Sequence, residues 1–147
     1  MLMIACCHLC QVWLELDQLL STLARLRGPA DKAPVPSQLI GLLPPPPEAG
    51  GWPEGFALAA IEAQLRERYE KAQAEGEDTA FANLVHFTPV DHAYYSARRR
   101  AQRLSYAIWG VIGGEGVELQ PILEVESTSD RLRLALKRMR DVMEQIK

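Results

Sequence analysis

The chain has 147 residues, of which 48% are hydrophobic and 24% are charged, and its formal net charge is −3. This composition is typical of a globular protein and excludes a disordered chain. No apolar run approaches the roughly 20 residues of a membrane-spanning helix. The length predicts a single helical domain over residues 1–147.

The beginning of the chain is predicted to form a long amphipathic helix that ends at Gly28-Pro29. Its apolar residues alternate at spacings of three and four, as in a heptad repeat, and this period favours a near-parallel neighbour helix. The stripe comprises Leu2, Ala5, Leu9, Val12, Leu16, Leu19, Leu23 and Leu26.

Residues 28–55 hold eight of the ten prolines and five of the ten glycines, which predicts a connecting segment. Within it, residues 37–43 are predicted to form either one helical turn or a docked apolar patch. The prolines from Pro44 to Pro47 predict a stiff polyproline II spacer.

Three helices are predicted next, over about residues 56–75, 78–87 and 89–111. Leu58 and Ala72 are expected on the buried face of the first of these helices. Glu67 and Glu70 are expected on its solvent-exposed face. The third helix has Thr88 as its N-cap and Pro89 at its first position. Its buried side is predicted to consist of Ala93, Ala97, Ala101, Leu104, Ile108 and Val111.

Glycines at 110–116 are predicted to end that helix, and weak alternation over 117–125 around Pro121 allows a short extended hairpin. A capping pattern at 127–130 then begins the last helix, whose apolar stripe includes Leu132, Leu136 and Met143. This stripe is expected to pair with the stripe of the first helix and to bring the chain termini together. We therefore predict an all-α bundle of four to five helices.

Positive charge is concentrated in the last third of the chain. Residues 1–90 carry 6 Lys/Arg and 11 Asp/Glu, a net of −5, whereas residues 91–147 carry 10 and 8, a net of +2. An anionic partner is therefore expected to bind the C-terminal third.

The helix over 89–111 carries arginines that are expected to lie on its exposed side, with two tyrosines one turn earlier. Guanidinium groups beside aromatic rings suit phosphate backbones and stacked bases. Basic residues of the last helix would extend the same strip if the two helices are adjacent. The predicted site comprises Arg98, Arg99, Arg100, Arg103, Tyr94, Tyr95, Arg131, Arg133, Lys137, Arg138 and Arg140.

Three interpretations of this basic strip remain open. It is a solvated face or intramolecular ion-pair network, a nucleic-acid interface, or a docking surface for an acidic protein. The chain is a small helical protein with an arginine-rich helix, and in this size and layout it resembles the small subunits of CRISPR effector complexes. That resemblance implies a subunit that lines a nucleic-acid channel without catalysis.

The three cysteines lie close together at Cys6, Cys7 and Cys10, with His8 between them. The spacing of Cys7 and Cys10 suits zinc, but one helix cannot surround a tetrahedral ion, and only His86 and His92 could add a distant pair. Packing of the cysteines as small apolar residues is therefore favoured over a metal site. An odd, local cluster is also not a disulfide framework, so a cytoplasmic location is expected.

Two further motifs are interpreted as structural. The glycine-rich residues 110–116 follow a helix instead of a strand, so a turn is favoured over a phosphate loop. His86 and His92, near Asp91, have no credible nucleophile to assist, and a satisfied core histidine is the commoner case.

We therefore predict a non-enzymatic helical subunit of a larger assembly, without a cofactor and without a membrane. Its predicted partners are protein subunits or further copies of the chain, with RNA or DNA bound through backbone contacts. The alternative is a self-associating structural or regulatory protein that uses the heptad stripes. A third hypothesis is a metal site at the cysteine cluster.

Overall fold

The computed structural model describes residues 2–27, 37–46, 50–76, 95–114 and 116–146, without the side chains of 2–8, 27, 37 and 38. The described part of the chain is all helical and contains no strand, which confirms the predicted fold class. The helices are α1 (Leu2–Arg27), α2 (Ser37–Ile40), α3 (Ala57–Ala74), α4 (Ala97–Ala107), α5 (Trp109–Ile112), α6 (Gln120–Glu124) and α7 (Thr128–Ile146).

The chain divides into two compact units. Unit 1 comprises Met1–Pro34 with Ala97–Lys147, and unit 2 comprises Val35–Ser96. Helices α1, α4, α5, α6 and α7 therefore belong to unit 1, and α2 and α3 belong to unit 2. The predicted single domain over residues 1–147 stays a prediction.

Helices α1 and α7 pack against each other, as their heptad stripes predict. Leu9 and Leu16 of α1 are buried, as are Leu132 and Leu136 of α7. Burial of a leucine side chain stabilises a fold by roughly 1.5–3 kcal/mol, so this contact is a main source of the stability of unit 1.

The two helices run in the same direction. Gln11 shares a groove with residues 133–141, whereas Gln18, two turns later, shares one with residues 139–144. Between them, Arg140 bonds to Glu15. The prediction that this pairing brings the chain termini together is therefore wrong, because an apolar stripe looks the same for both directions of a helix.

Helices α4 and α5 follow each other with almost no interruption and contact α7 along its other side. Ile108 joins them, and its backbone N–H donates to the carbonyl of Leu104 at 3.0 Å, as within a helix. Ser105 lies beside Arg131, and Ile112 lies beside Arg138, seven residues further along both elements. The α4–α5 pair is therefore also parallel to α7.

The buried side of α4 differs from the predicted alanine side. Leu104 and Ile108 are buried as predicted. Ala97, however, is exposed and Ala101 is half-buried, whereas Arg100 is buried four residues before Leu104. Leu104 and Ile108 occupy the interior because they remove more apolar surface from water than alanine does.

The start of α4 also differs from the prediction. Helical structure begins at Ala97, so Tyr95 and Ser96 precede the helix instead of lying inside it. The expected caps at Thr88 and Pro89, and the short helix over about 78–87, lie outside the described residues.

The predicted hairpin over 117–125 is wrong. Residues 117–119 are irregular, and Pro121 lies in the first turn of α6. Proline is tolerated there because the first N–H groups of a helix have no partner within it.

The capping pattern before the last helix is confirmed, since the backbone N–H of Asp130 donates to Ser127 Oγ at 3.3 Å.

In unit 2, α2 contacts α3. Residues 37–43 combine the two predicted possibilities, because they form one helical turn and bury Leu39, Ile40, Leu42 and Leu43. Before α3, the rings of Trp52 and Phe56 stack with centroids 4.6 Å apart. The bounds of α3 and the burial of Leu58 and Ala72 confirm the predicted second helix.

None of the helices in the described ranges is long and apolar enough to cross a membrane.

Two leucines of α1 test the helix pairing. Leu16 is completely buried, whereas Leu26 is 62% exposed. We expect Leu16→Ala to lower the free energy of unfolding by about 2–5 kcal/mol because it leaves a cavity. The matched change Leu26→Ala should stay within about 0.5 kcal/mol of the parent. Urea denaturation followed by circular dichroism measures both values, and equal losses would contradict the pairing.

Candidate nucleic-acid interface

Three of the four arginines of α4 lie on its surface. Arg98, Arg99 and Arg103 are exposed, and we call them the α4 arginine surface. Arg100 is only 2% exposed, so the prediction that it belongs to the exposed side is wrong. It lies on the side of α4 that carries Leu104 and Ile108.

Arg131, in the first turns of α7, is buried as well, with 1% of its surface exposed. Its Nε–H donates to Ser105 Oγ at 2.9 Å, its Nη2 to Thr128 Oγ1 at 3.1 Å, and its Nη1 to the carbonyl of Val125. Its Cζ lies 4.0 Å from the ring centroid of Tyr106. Arg131 therefore joins α4 to the beginning of α7 and does not belong to a surface strip.

Ser105 is suited to this position because its hydroxyl serves two partners. It donates to the carbonyl of Gln102 at 2.6 Å and accepts from Arg131. A buried hydroxyl with both functions satisfied avoids the cost of burying an unpaired polar group.

The side chain of Arg138 caps the C-terminal end of α5. Its Nε–H donates to the carbonyl of Ile112 at 3.1 Å, and its Nη2 to the carbonyl of Gly113 at 3.2 Å. The last carbonyls of a helix have no partner within it and carry partial negative charge, which a guanidinium group compensates. Arg138 is therefore also used within unit 1.

The other basic residues of α7 face α1. Arg133, Lys137 and Arg140 are exposed and line a groove of about 320 Å³ together with Gln11, Leu136 and Asp141, which we call the α1–α7 groove. Arg133 pairs with Asp130 at 3.1 Å, and Arg140 pairs with Glu15 at 2.8 Å. Carboxylates therefore offset much of the positive charge in this groove.

The hydrogen bond and the charge of Glu15 raise the pKa of Arg140. A raised pKa on a cation contributes stability that is lost only as the pH rises through the pKa of the folded state. Arg140 therefore stays charged at every pH below the ordinary titration range of arginine.

The predicted single strip is therefore divided into two groups. Helix α7 uses Arg131 and Arg138 on the side of α4 and α5, and it uses Arg133, Lys137 and Arg140 on the side of α1. The α4 arginine surface is separate from both groups, and residues 97–114, which include it, contain no Asp or Glu.

Of the two tyrosines predicted beside the arginines, the structure describes only Tyr95, which does not lie on α4. Tyr95 is half-buried ahead of the helix, and Tyr94 lies outside the described residues. The aromatic residue that does share the helix is Tyr106, which the sequence analysis missed. It follows Arg99 by seven residues and Arg103 by three. Both spacings return to the same side of a helix, so Tyr106 could have been predicted beside these arginines from the sequence.

The cysteine cluster is only partly described. Cys10 is half-buried and forms no disulfide bond, and the side chains of Cys6, Cys7 and His8 lie outside the described residues, as do His86 and His92. Within the part of the chain that the structure describes, no three His, Cys, Asp or Glu side chains are grouped as metal ligands. The metal hypothesis therefore stays a prediction.

The glycine-rich residues end a helix, as predicted. Helix α5 stops at Ile112, and Gly114 and Gly116 adopt positive φ values of 70° and 81°. Glycine adopts this left-handed conformation without the steric cost that other residues have.

Comparisons with protein-family models, with curated proteins and with solved structures find no match to this chain.

The role of Arg131 can be tested with a charge-conserving substitution. Arg131→Lys keeps the cation but loses the planar fork that reaches three acceptors, so we expect the free energy of unfolding to fall by about 1.5–3 kcal/mol. Arg133→Lys, on the exposed side of the same helix, should change it by less than about 0.5 kcal/mol. Guanidinium denaturation compares the two, and a tolerated Arg131→Lys would show that the fork is not needed.

Proposed function

We propose that this chain is a non-enzymatic helical subunit that binds a nucleic-acid backbone through the α4 arginine surface. The observation that carries the proposal is the exposure of Arg98, Arg99 and Arg103 within two turns of a helix whose own sequence has no acidic residue. Guanidinium groups bind phosphate oxygens through paired hydrogen bonds and stay charged at physiological pH.

The position of these arginines is well defined. Leu104 is fully buried, and Ser105 is bonded to Arg131, so the opposite side of α4 is held against the rest of unit 1. Arg99 and Arg103 are one turn apart, which separates their Cβ atoms by about 5–6 Å. Such an array presents several cations to a polyanion without further folding, which lowers the entropic cost of binding.

The α1–α7 groove is the weaker candidate for the same ligand. Arg133 and Arg140 each bond to a carboxylate, and Asp141 lines the groove. A phosphate would have to compete with those carboxylates for the guanidinium groups. We assign the binding to α4 instead of α7 because the sequence of α4 contains no acidic residue, whereas α7 contains Asp130, Asp141 and Glu144.

Self-association through the heptad stripes is less well supported. Leu9, Leu16, Leu132 and Leu136 are already buried within the chain. An interface built from them would need unit 1 to open, at a cost in buried apolar surface.

The proposal assigns binding and positioning to the chain, with no catalytic residue and no cofactor. It includes a cytoplasmic location and a role in a larger assembly with other protein subunits. The resemblance in size and layout to small subunits of CRISPR effector complexes is compatible with this role.

A salt titration of nucleic-acid affinity tests the proposal. Each phosphate contact contributes about 0.7–0.9 to the slope of log affinity against log salt concentration. We expect Arg98→Ala/Arg99→Ala/Arg103→Ala to lower that slope by about 2–3 and to weaken binding at least about tenfold near 50 mM salt. Fluorescence anisotropy with labelled RNA and DNA measures both quantities.

The matched control is Arg133→Ala/Lys137→Ala/Arg140→Ala, which changes the net charge equally. We expect it to change the slope by less than about 1. Unchanged binding in the α4 variant would overturn the assignment, and so would a larger loss in the α7 variant. Binding of an acidic protein with no affinity for nucleic acid at low salt would replace the proposal with the acidic-partner alternative.

A further inference from the structure

The ring of Tyr106 lies at the surface of unit 1 with one face covered. Arg131 lies 4.0 Å from its centroid and is itself almost completely buried, whereas Tyr106 is 39% exposed. Because one ring face meets the guanidinium group, the exposed area lies elsewhere on the residue. The ring is therefore in contact with the protein through one face and remains partly exposed to the solvent.

The orientation of this ring is fixed by its support. Arg131 is held by Ser105, Thr128 and Val125, so the guanidinium plane beneath the ring cannot move freely. A cation against an aromatic face adds an attraction of roughly 0.5–2 kcal/mol. Tyr106 thus presents a pre-oriented aromatic surface, which reduces the entropy lost when a flat ligand stacks on it.

Tyr106 also lies in line with two members of the α4 arginine surface. Arg103 precedes it by three residues and Arg99 by seven, and both spacings return to the same side of a helix. The rise of 1.5 Å per residue places Arg99 about 10 Å along the axis from Tyr106. That span corresponds to about three stacked nucleotides at 3.4 Å each.

We infer that Tyr106 is a stacking platform for an unpaired base, so that the α4 arginine surface binds single-stranded nucleic acid in preference to a duplex. This inference rests on the proposed function. Arg99 and Arg103 contact the phosphates of a strand, and the base at its end stacks on the open face of Tyr106. A duplex offers the same phosphates but keeps its bases stacked and paired, out of reach of the ring.

The inference can be tested with two substitutions at one position. Tyr106→Phe keeps the ring, and Tyr106→Leu keeps an apolar cover over Arg131 but removes the stacking surface. We expect Tyr106→Leu to weaken binding of an oligothymidine of about 12 nucleotides by about 5- to 100-fold, the range for one base–aromatic stack. Tyr106→Phe should bind within about threefold of the parent, and both should bind a hairpin duplex as the parent does.

A second measurement uses the unaltered protein. An abasic oligonucleotide of the same length has the same phosphates but no bases, and we expect it to bind at least about fivefold more weakly than oligothymidine. Equal affinities for the two would overturn the inference, as would a Tyr106→Leu variant that binds oligothymidine like the parent. If duplex, oligothymidine and abasic strands all bind equally, the stacking inference fails while the proposed function stands. If none binds at low salt, both fail.

Discussion

The geometry of unit 1 depends on the buried guanidinium group of Arg131. It bonds to the hydroxyl of Ser105 in α4, to Thr128 at the start of α7 and to the carbonyl of Val125 before it, and it supports the ring of Tyr106. A buried cation is costly unless its donors are satisfied, and here three neutral acceptors and one ring perform that function. The same contacts therefore help to hold α4 against the beginning of α7.

The sequence predicted the bounds of α1, α3 and α7 well, because each has an apolar period and recognisable ends, such as Ser127 before α7. It did not predict that α1 and α7 are parallel, since a heptad stripe carries no information on direction. It also failed over 117–125, where weak alternation around Pro121 suggested a hairpin but the residues form a short helix. Local patterns of so few residues fit both types of structure.

The candidate site was predictable only in part. Clustering of positive charge in the last third of the chain drew attention to α4 and α7. Sequence alone treated every arginine as exposed, because arginine is rarely buried without partners. Arg100 and Arg131 are exceptions, and the partners of Arg131 come from residues up to 26 positions away. Such partners become visible only when α4 and α7 are placed side by side.

The parallel arrangement of α4 and α7 has an electrostatic consequence. The amino-terminal end of a helix carries about half a positive charge, so cations in the first turn destabilise it by roughly 0.3–1 kcal/mol each. Arg98 and Arg99 lie in the first turn of α4, which has no acidic residue, and the amino-terminal end of α7 points the same way. These two arginines therefore oppose the dipole of their own helix. An anion held there would relieve their repulsion with the helix dipole, so ligand binding and the order of α4 should reinforce each other.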